Sequence, residues 1–159
     1  MNNEQTVRQY LKDVLSWQEA HINFERTVKD LPKEYRGMRP DGFPYSIWQL
    51  VEHIRIAQWD ILDFSRNPGY TEHTWPDDFW PEKEAPANDG EWERSLKAIR
   101  DDREAFRNLL DNHEFDLLKP FDHGTGQTLF RQALLIADHT AYHVGQIILI
   151  RKYLDNRIL

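Results

Sequence analysis

Apolar residues recur at steps of three and four along four proline-free stretches of this chain, the spacing of one face of a helix. The first stretch, Asn3 to Lys29, carries the stripe Val7, Tyr10, Val14, Trp17, His21, Phe24 and Val28. The second opens at Ser46 and carries Ile47, Leu50, Ile54, Ala57, Ile61 and Phe64. The third runs from Asn88 to Asn112 with Trp92, Leu96, Ile99, Arg103, Phe106 and Leu110 on one side. The fourth follows Thr128 and continues to Leu154. Start signals agree with these limits: Ser46 with Gln49 and Asn88 with Glu91 are spaced as capping pairs, and Thr128 can cap the last helix. No strand-like alternation and no internal repeat interrupts the pattern. The pattern predicts an all-α four-helix bundle with helices of about 20–28 residues, formed as a single domain over residues 1–159.

The prolines mark the connections. Residues 30–45 hold Pro32, Pro40 and Pro44, and residues 67–87 hold Pro68, Pro76, Pro81 and Pro86. The second connection is long for a compact domain and rich in aromatics, among them Tyr70, Trp75, Phe79 and Trp80. Those side chains predict a segment packed against the bundle. Its reach, on the order of 70 Å, is ample to run back along a helix and join two parallel ones. Trp48, Arg55 and Trp59 lie off the second helix's seam and predict a second covered surface, made by a loop or another subunit.

Histidines break the apolar stripes. His139 and His143 stand one turn apart in the fourth helix, on a face that also carries Gln132, Ile136, Gln146 and Ile150. Two inward imidazoles are costly unless their ring nitrogens are satisfied, and a divalent metal does that. His53 borders the seam of the second helix, and His21 lies in the stripe of the first. With the first and fourth helices running up and the second down, these four fall roughly 17–29 Å up a bundle about 40 Å tall. One site can therefore gather them. His21 is a candidate fourth ligand, general base or pocket residue, or a core histidine satisfied by Glu25 one turn on. Asp60, two turns beyond His53, is a candidate for orienting a histidine, and Gln146 for touching a bound ligand. Gly145, inside a helix, provides either room for a ligand beside His143 or close helix packing. Tyr142 and Arg151 read equally well as structural. His73, His113 and His123 fall in loops or helix ends. The metalloprotease H-E-x-x-H pattern and the E-x-x-H pairs of di-iron bundles are absent. Haem held between His53 and His143 is a further, weaker reading.

Composition narrows the chemistry. Lys plus Arg number 20 against 27 Asp plus Glu, a net charge of −7, which disfavours nucleic acid and anionic membranes as partners. A hydrophobic share of 40% excludes a disordered chain. With no cysteine, thiolate metal sites and a cysteine nucleophile are excluded, so any thiol chemistry needs an external thiol. Residues 1–20 lack the apolar core of a secretion signal, and no apolar run approaches 18 residues. A cytoplasmic protein is expected.

The order of these features resembles the DinB/YfiT-like superfamily of metal-dependent enzymes. The resemblance rests on Leu50-Val51-Glu52-His53-Ile54 and on the run Asp138-His139-Thr140-Ala141-Tyr142-His143-Val144-Gly145-Gln146. Ala20-His21, Trp59-Asp60, Trp75-Pro76, Phe79-Trp80-Pro81 and Gly126-Gln127-Thr128 extend it over most of the chain. It implies an up-down-down-up bundle with a long connection between the second and third helices. It also implies zinc or nickel held by His53, His139 and His143, frequent homodimers, and reactions that use low-molecular-weight thiols for S-transfer or isomerisation. On this reading the protein is a metal-dependent enzyme that activates a thiol or water toward a small-molecule substrate. The competing reading is a non-catalytic metal-binding or structural bundle. The family's name reflects DNA-damage induction and implies no DNA binding.

Overall fold

The computed structural model describes residues 2–156. It holds five α-helices: α1 Asn3–Val14, α2 Phe24–Val28, α3 Ile47–Arg66, α4 Asp89–Asp111 and α5 Leu129–Asp155. Short 3-10 turns occupy Lys33–Tyr35 and Asp77–Phe79. No strand occurs among the described residues, so the chain is all-α as the periodicity predicts.

The local signals act at three helix starts. Ser46 Oγ accepts from the Gln49 N–H at 3.2 Å while Gln49 Oε1 accepts from the Ser46 N–H at 3.1 Å, closing the predicted box on α3. Asn88 accepts from the Glu91 N–H at 2.9 Å, and Thr128 from the Arg131 N–H at 3.2 Å. The Glu91 carboxylate reaches the Ala87 N–H, one residue before the cap.

The first predicted helix requires correction. It is two helices separated by residues 15–23, and Asn23 is the reason. Its side chain caps α2 by accepting from the Arg26 N–H at 3.1 Å, and its amide donates back to Ser16 O at 3.2 Å. The stripe also faces the other way at its start: Val7, Tyr10 and Trp17 are exposed, while Arg8, Leu11 and Leu15 are buried. Arg8 is only 3% exposed because its guanidinium donates to Leu110 O at 2.8 Å and Phe115 O at 2.5 Å. It thereby satisfies carbonyls at and beyond the end of α4. Arg151 does the same for the end of α2, donating to Thr27 O at 3.0 Å and Lys29 O at 2.9 Å.

The core forms two clusters. Phe24, Trp48, Leu50, Ile54, Trp92, Ile99, Ile147 and Ile150 fill one; Leu11, Leu62, Phe106, Leu110, Leu129, Ala133 and Ile136 fill the other. Along α5 the first begins at Val144 and the second ends at Ile136, so His139 and His143 fall between them. Of the off-seam tryptophans of α3, Trp48 is covered, at 3% exposed, and Trp59 stays exposed at 37%. Trp48 packs on Trp92 of α4 at 6.3 Å between ring centroids, and Trp59 meets His73 of the long connection at 5.7 Å.

By length and composition alone α5 is apolar enough to cross a membrane. It is a core helix on one side, with Ile136, Val144, Ile147 and Ile150 at most 2% exposed. Gly145 corrects both sequence readings: it is exposed and a Cβ there meets nothing within 4 Å, so it neither makes room beside His143 nor admits a close helix.

Arg8→Met keeps the apolar stem and leaves the α4 carbonyls unpaired. Urea denaturation is expected to show a loss of about 2–3 kcal/mol. Tyr10→Ala, on the exposed side, is expected to change stability by less than about 0.5 kcal/mol. Equal effects for the two would remove the capping role of Arg8.

Candidate functional site

Two helices supply the histidines and one connection orients them. His53 projects from α3 into the space between α3 and α5, where it is 1% exposed. His139 and His143 project from α5 on adjacent turns, His143 buried and His139 half-buried. The three rings stand edge to face, with centroids 4.5–4.8 Å apart. Their candidate ligand nitrogens all lie within 4.8 Å of one another. The structure thus gathers the three histidines singled out in the sequence.

Each ring is turned by a partner. His53 Nδ1 lies 2.8 Å from Phe79 O, and since a carbonyl can only accept, the proton is on Nδ1. His143 Nδ1 donates to Gln146 Oε1 at 2.7 Å. Both rings therefore present a bare Nε2 lone pair. His139 Nε2 lies 3.0 Å from His53 Nε2. Zn–N bonds of about 2.0–2.1 Å place tetrahedral ligand atoms about 3.3 Å apart, so a small divalent cation fits here with slight adjustment. A partner on the far ring nitrogen is the usual companion of metal-ligating histidine.

Aromatic rings wall the cluster. Trp80 stacks on His53 with centroids 3.8 Å apart and planes 4° off parallel, stacks on Tyr45 at 3.9 Å, and meets His143 edge to face at 6.0 Å. Trp75 lies 6.1 Å from His53 and Tyr142 lies 4.9 Å from His143; both are well exposed. The 67–87 connection therefore does pack down, and it does so on the histidines. Phe79 and Trp80 as partners of His53 escape a periodicity reading, since a backbone acceptor and a stacking ring carry no spacing signature. Their only sequence signal is the aromatic content of an overlong connection.

Burial sets the protonation. It lowers His53 to about 4, with the Phe79 hydrogen bond opposing and His143 adding to the fall. It lowers His139 to about 3, helped by the two neighbouring imidazoles. His143 is lowered for the same reason, against its bond to Gln146. All three are neutral near pH 7, the form that can bind a metal.

Several sequence candidates lie elsewhere. His21 is exposed in the turn between α1 and α2, with Nδ1 2.9 Å from the Ile22 carbonyl, because α1 stops at Val14 and the helix resumes only after the Asn23 cap. It lines a cleft against Ala137, Ala141 and Val144, residues half a turn around α5 from His139. Glu25 does not satisfy His21; its Oε1 pairs with Arg103 Nη1. That pair leaves Arg103 Nε and Nη2 and Glu25 Oε2 buried without partners, each at a cost of about 1–3 kcal/mol. Asp60 orients no histidine of the cluster; it accepts from the Tyr70 hydroxyl at 2.8 Å, and burial raises its pKa. His123 bonds Phe64 O and His73 lies 3.9 Å from Asp78, as loop histidines. The rings of His53 and His143 are 4.6 Å apart, too close for a porphyrin between them.

Fold and site together define an all-α protein with a three-histidine cluster of a kind able to hold a metal ion. The chain belongs to the DinB superfamily, whose family model matches residues 16–147. No curated protein and no solved structure matches it.

The histidines titrate near 6.5 in an unfolded chain and lower in the folded one. As pH falls below 6.5 the unfolded state takes up protons that the native state refuses, so metal-free protein loses stability toward pH 4 and below. Melting temperature should fall already between about pH 6.5 and 5, above the carboxylate range. His139→Ala should flatten that part of the curve; an unchanged slope would contradict burial of the neutral ring.

Proposed function

We propose that the protein is a metal-dependent enzyme of the DinB superfamily, with zinc or nickel held by His53, His139 and His143. The observation that carries this reading is the convergence of three imidazoles, two of them with Nδ1 fixed by an acceptor and Nε2 free. A metal bound there supplies a nucleophile near neutral pH by lowering the pKa of a coordinated low-molecular-weight thiol or water. The chain's own contribution is orientation and shelter: Phe79 O and Gln146 fix the rings, and Trp80 excludes water from one face of His53. With no cysteine in the chain, the thiol would come from a small molecule, and the proposed reaction is S-transfer or isomerisation of a small-molecule substrate. The deep burial of His53 and His143 favours a second reading, a metal with a closed coordination sphere in a non-catalytic bundle.

The chain is proposed to be one cytoplasmic domain with up-down-down-up helix order. Support comes from contacts that rise together along α3 and α4, Trp48 with Trp92 and Gln58 with the Ile99 carbonyl. Contacts of the α1–α2 region fall along α4, Lys12 with Asp111 and Glu25 with Arg103. The 67–87 connection then joins the parallel α3 and α4. A homodimer is proposed through the outer face of α5, where Leu134, Tyr142 and Leu149 are 44%, 65% and 58% exposed. The acidic balance argues against nucleic acid and anionic membrane as partners.

Metal analysis of untagged protein should find about one zinc or nickel per chain, and His53→Ala and His139→Ala should abolish it. Substoichiometric metal together with a melting temperature unmoved by Zn²⁺ or Ni²⁺ would sink the reading. In Co²⁺-loaded protein an added small thiol should produce a thiolate-to-cobalt absorption band; its absence favours the closed, non-catalytic site.

For the dimer, light scattering after size exclusion should give twice the chain mass, falling to one chain in Leu149→Glu. A monomeric parent protein would overturn the interface.

A further inference from the structure

A separate cleft lies on the opposite side of α5 from the histidines. With a volume of about 350 Å³, it opens between the 15–23 turn, α2 and α5. Its size is at the small end of the range for small-molecule sites. Phe24, Leu134, Ala137 and Ala141 give it apolar walls, and Glu25, Arg103 and Asp138 are its charged lining residues.

The polar part has an unusual deficit. The Arg103 side chain is 7% exposed and uses only Nη1, on Glu25. Its Nε and Nη2 have no partner, and neither has Glu25 Oε2. The Nε and Nη2 hydrogens of a guanidinium run parallel and match the two oxygens of a carboxylate. A carboxylate alone would be brought beside the open oxygen of Glu25. A ligand that carries a donor next to its carboxylate satisfies both. The Arg103–Glu25 pair is itself neutral, so a ligand of zero net charge leaves the buried balance unchanged.

We propose that this cleft binds an amino-acid-like zwitterion with an apolar side chain. Its carboxylate lies on the Nε/Nη2 edge of Arg103, its ammonium on Glu25 Oε2, and its side chain against Phe24, Leu134 and the two alanines. The free atoms are buried as the chain stands, so entry displaces residues 17–22 of the turn, which lie between the ties of Ser16 and Asn23 and carry the Arg26–Gln18 contact at 3.5 Å.

Thermal melting and titration calorimetry of the intact protein test this with four probes: L-phenylalanine, L-leucine, 3-phenylpropionate and phenethylamine. The two amino acids should raise the melting temperature saturably, by about 2–4 °C at several times their Kd. The carboxylate-only and ammonium-only analogues should bind at least about tenfold more weakly, having lost a charge-assisted hydrogen bond. Arg103→Met should abolish the response. Ala141→Leu, which fills the cleft and leaves the ion pair intact, should abolish it without harm to folding. His139→Ala should leave it unchanged, which separates this site from the metal reading. No shift and no heat with either amino acid up to about 10 mM overturns the proposal. So does an undiminished response in Ala141→Leu, or 3-phenylpropionate binding as tightly as L-phenylalanine.

Discussion

Three imidazoles in a packed waist must be kept both neutral and correctly turned, and two different interactions do this. Burial keeps them neutral, and at His139 the two neighbouring imidazoles add to its effect. Burial does not choose a tautomer. The choice is made by acceptors on the far side of two rings, Phe79 O for His53 and Gln146 Oε1 for His143. With the His53 proton committed to Nδ1, its Nε2 can only accept. The 3.0 Å approach of His139 Nε2 is then satisfied by a proton on His139 or by a cation between the two. The 67–87 connection is therefore part of the site. It brings the acceptor at Phe79 and the stacking ring of Trp80, and so ties the ring plane of His53 to a segment outside the helices.

Much of this was legible in the sequence where the information is local. The i, i+4 spacing of His139 and His143 places both on one face whatever the rest of the chain does. The caps at Ser46, Asn88 and Thr128 are readable because each bond closes over three residues. What failed is long-range. Arg8 is inside because carbonyls 102 and 107 residues away need donors, and no periodicity reports that. The apolar spacing alone places the stripe on Val7, Tyr10 and Trp17, which are exposed, and carries His21 inward with it. Glu25 and Asp60 failed alike: each carboxylate was assigned to a histidine within reach along the chain. Each is taken by a partner from another segment, Arg103 and Tyr70.

α5 shows how one helix comes to look apolar on every side. A helix with one neighbour has one apolar stripe, and its polar residues face water. α5 has its buried polar residues, Gln132 and His143, on the face toward α3. Its opposite face, Leu134, Ala137 and Ala141, borders a cleft, and Tyr142 and Leu149 point outward. The amphipathic signal cancels, and composition alone brings the helix to the level of a membrane span. Its buried polar residues have partners within α5 itself, Gln132 with Arg131 and His143 with Gln146. Val144 joins the two faces: it is 2% exposed, belongs to the core cluster beside the histidines and also lines the cleft. The histidine cluster and the cleft thus share a packed backbone and one side chain, but no polar group. A ligand in one can shift the other only by moving α5 as a body, and the core on both sides of the histidines resists that.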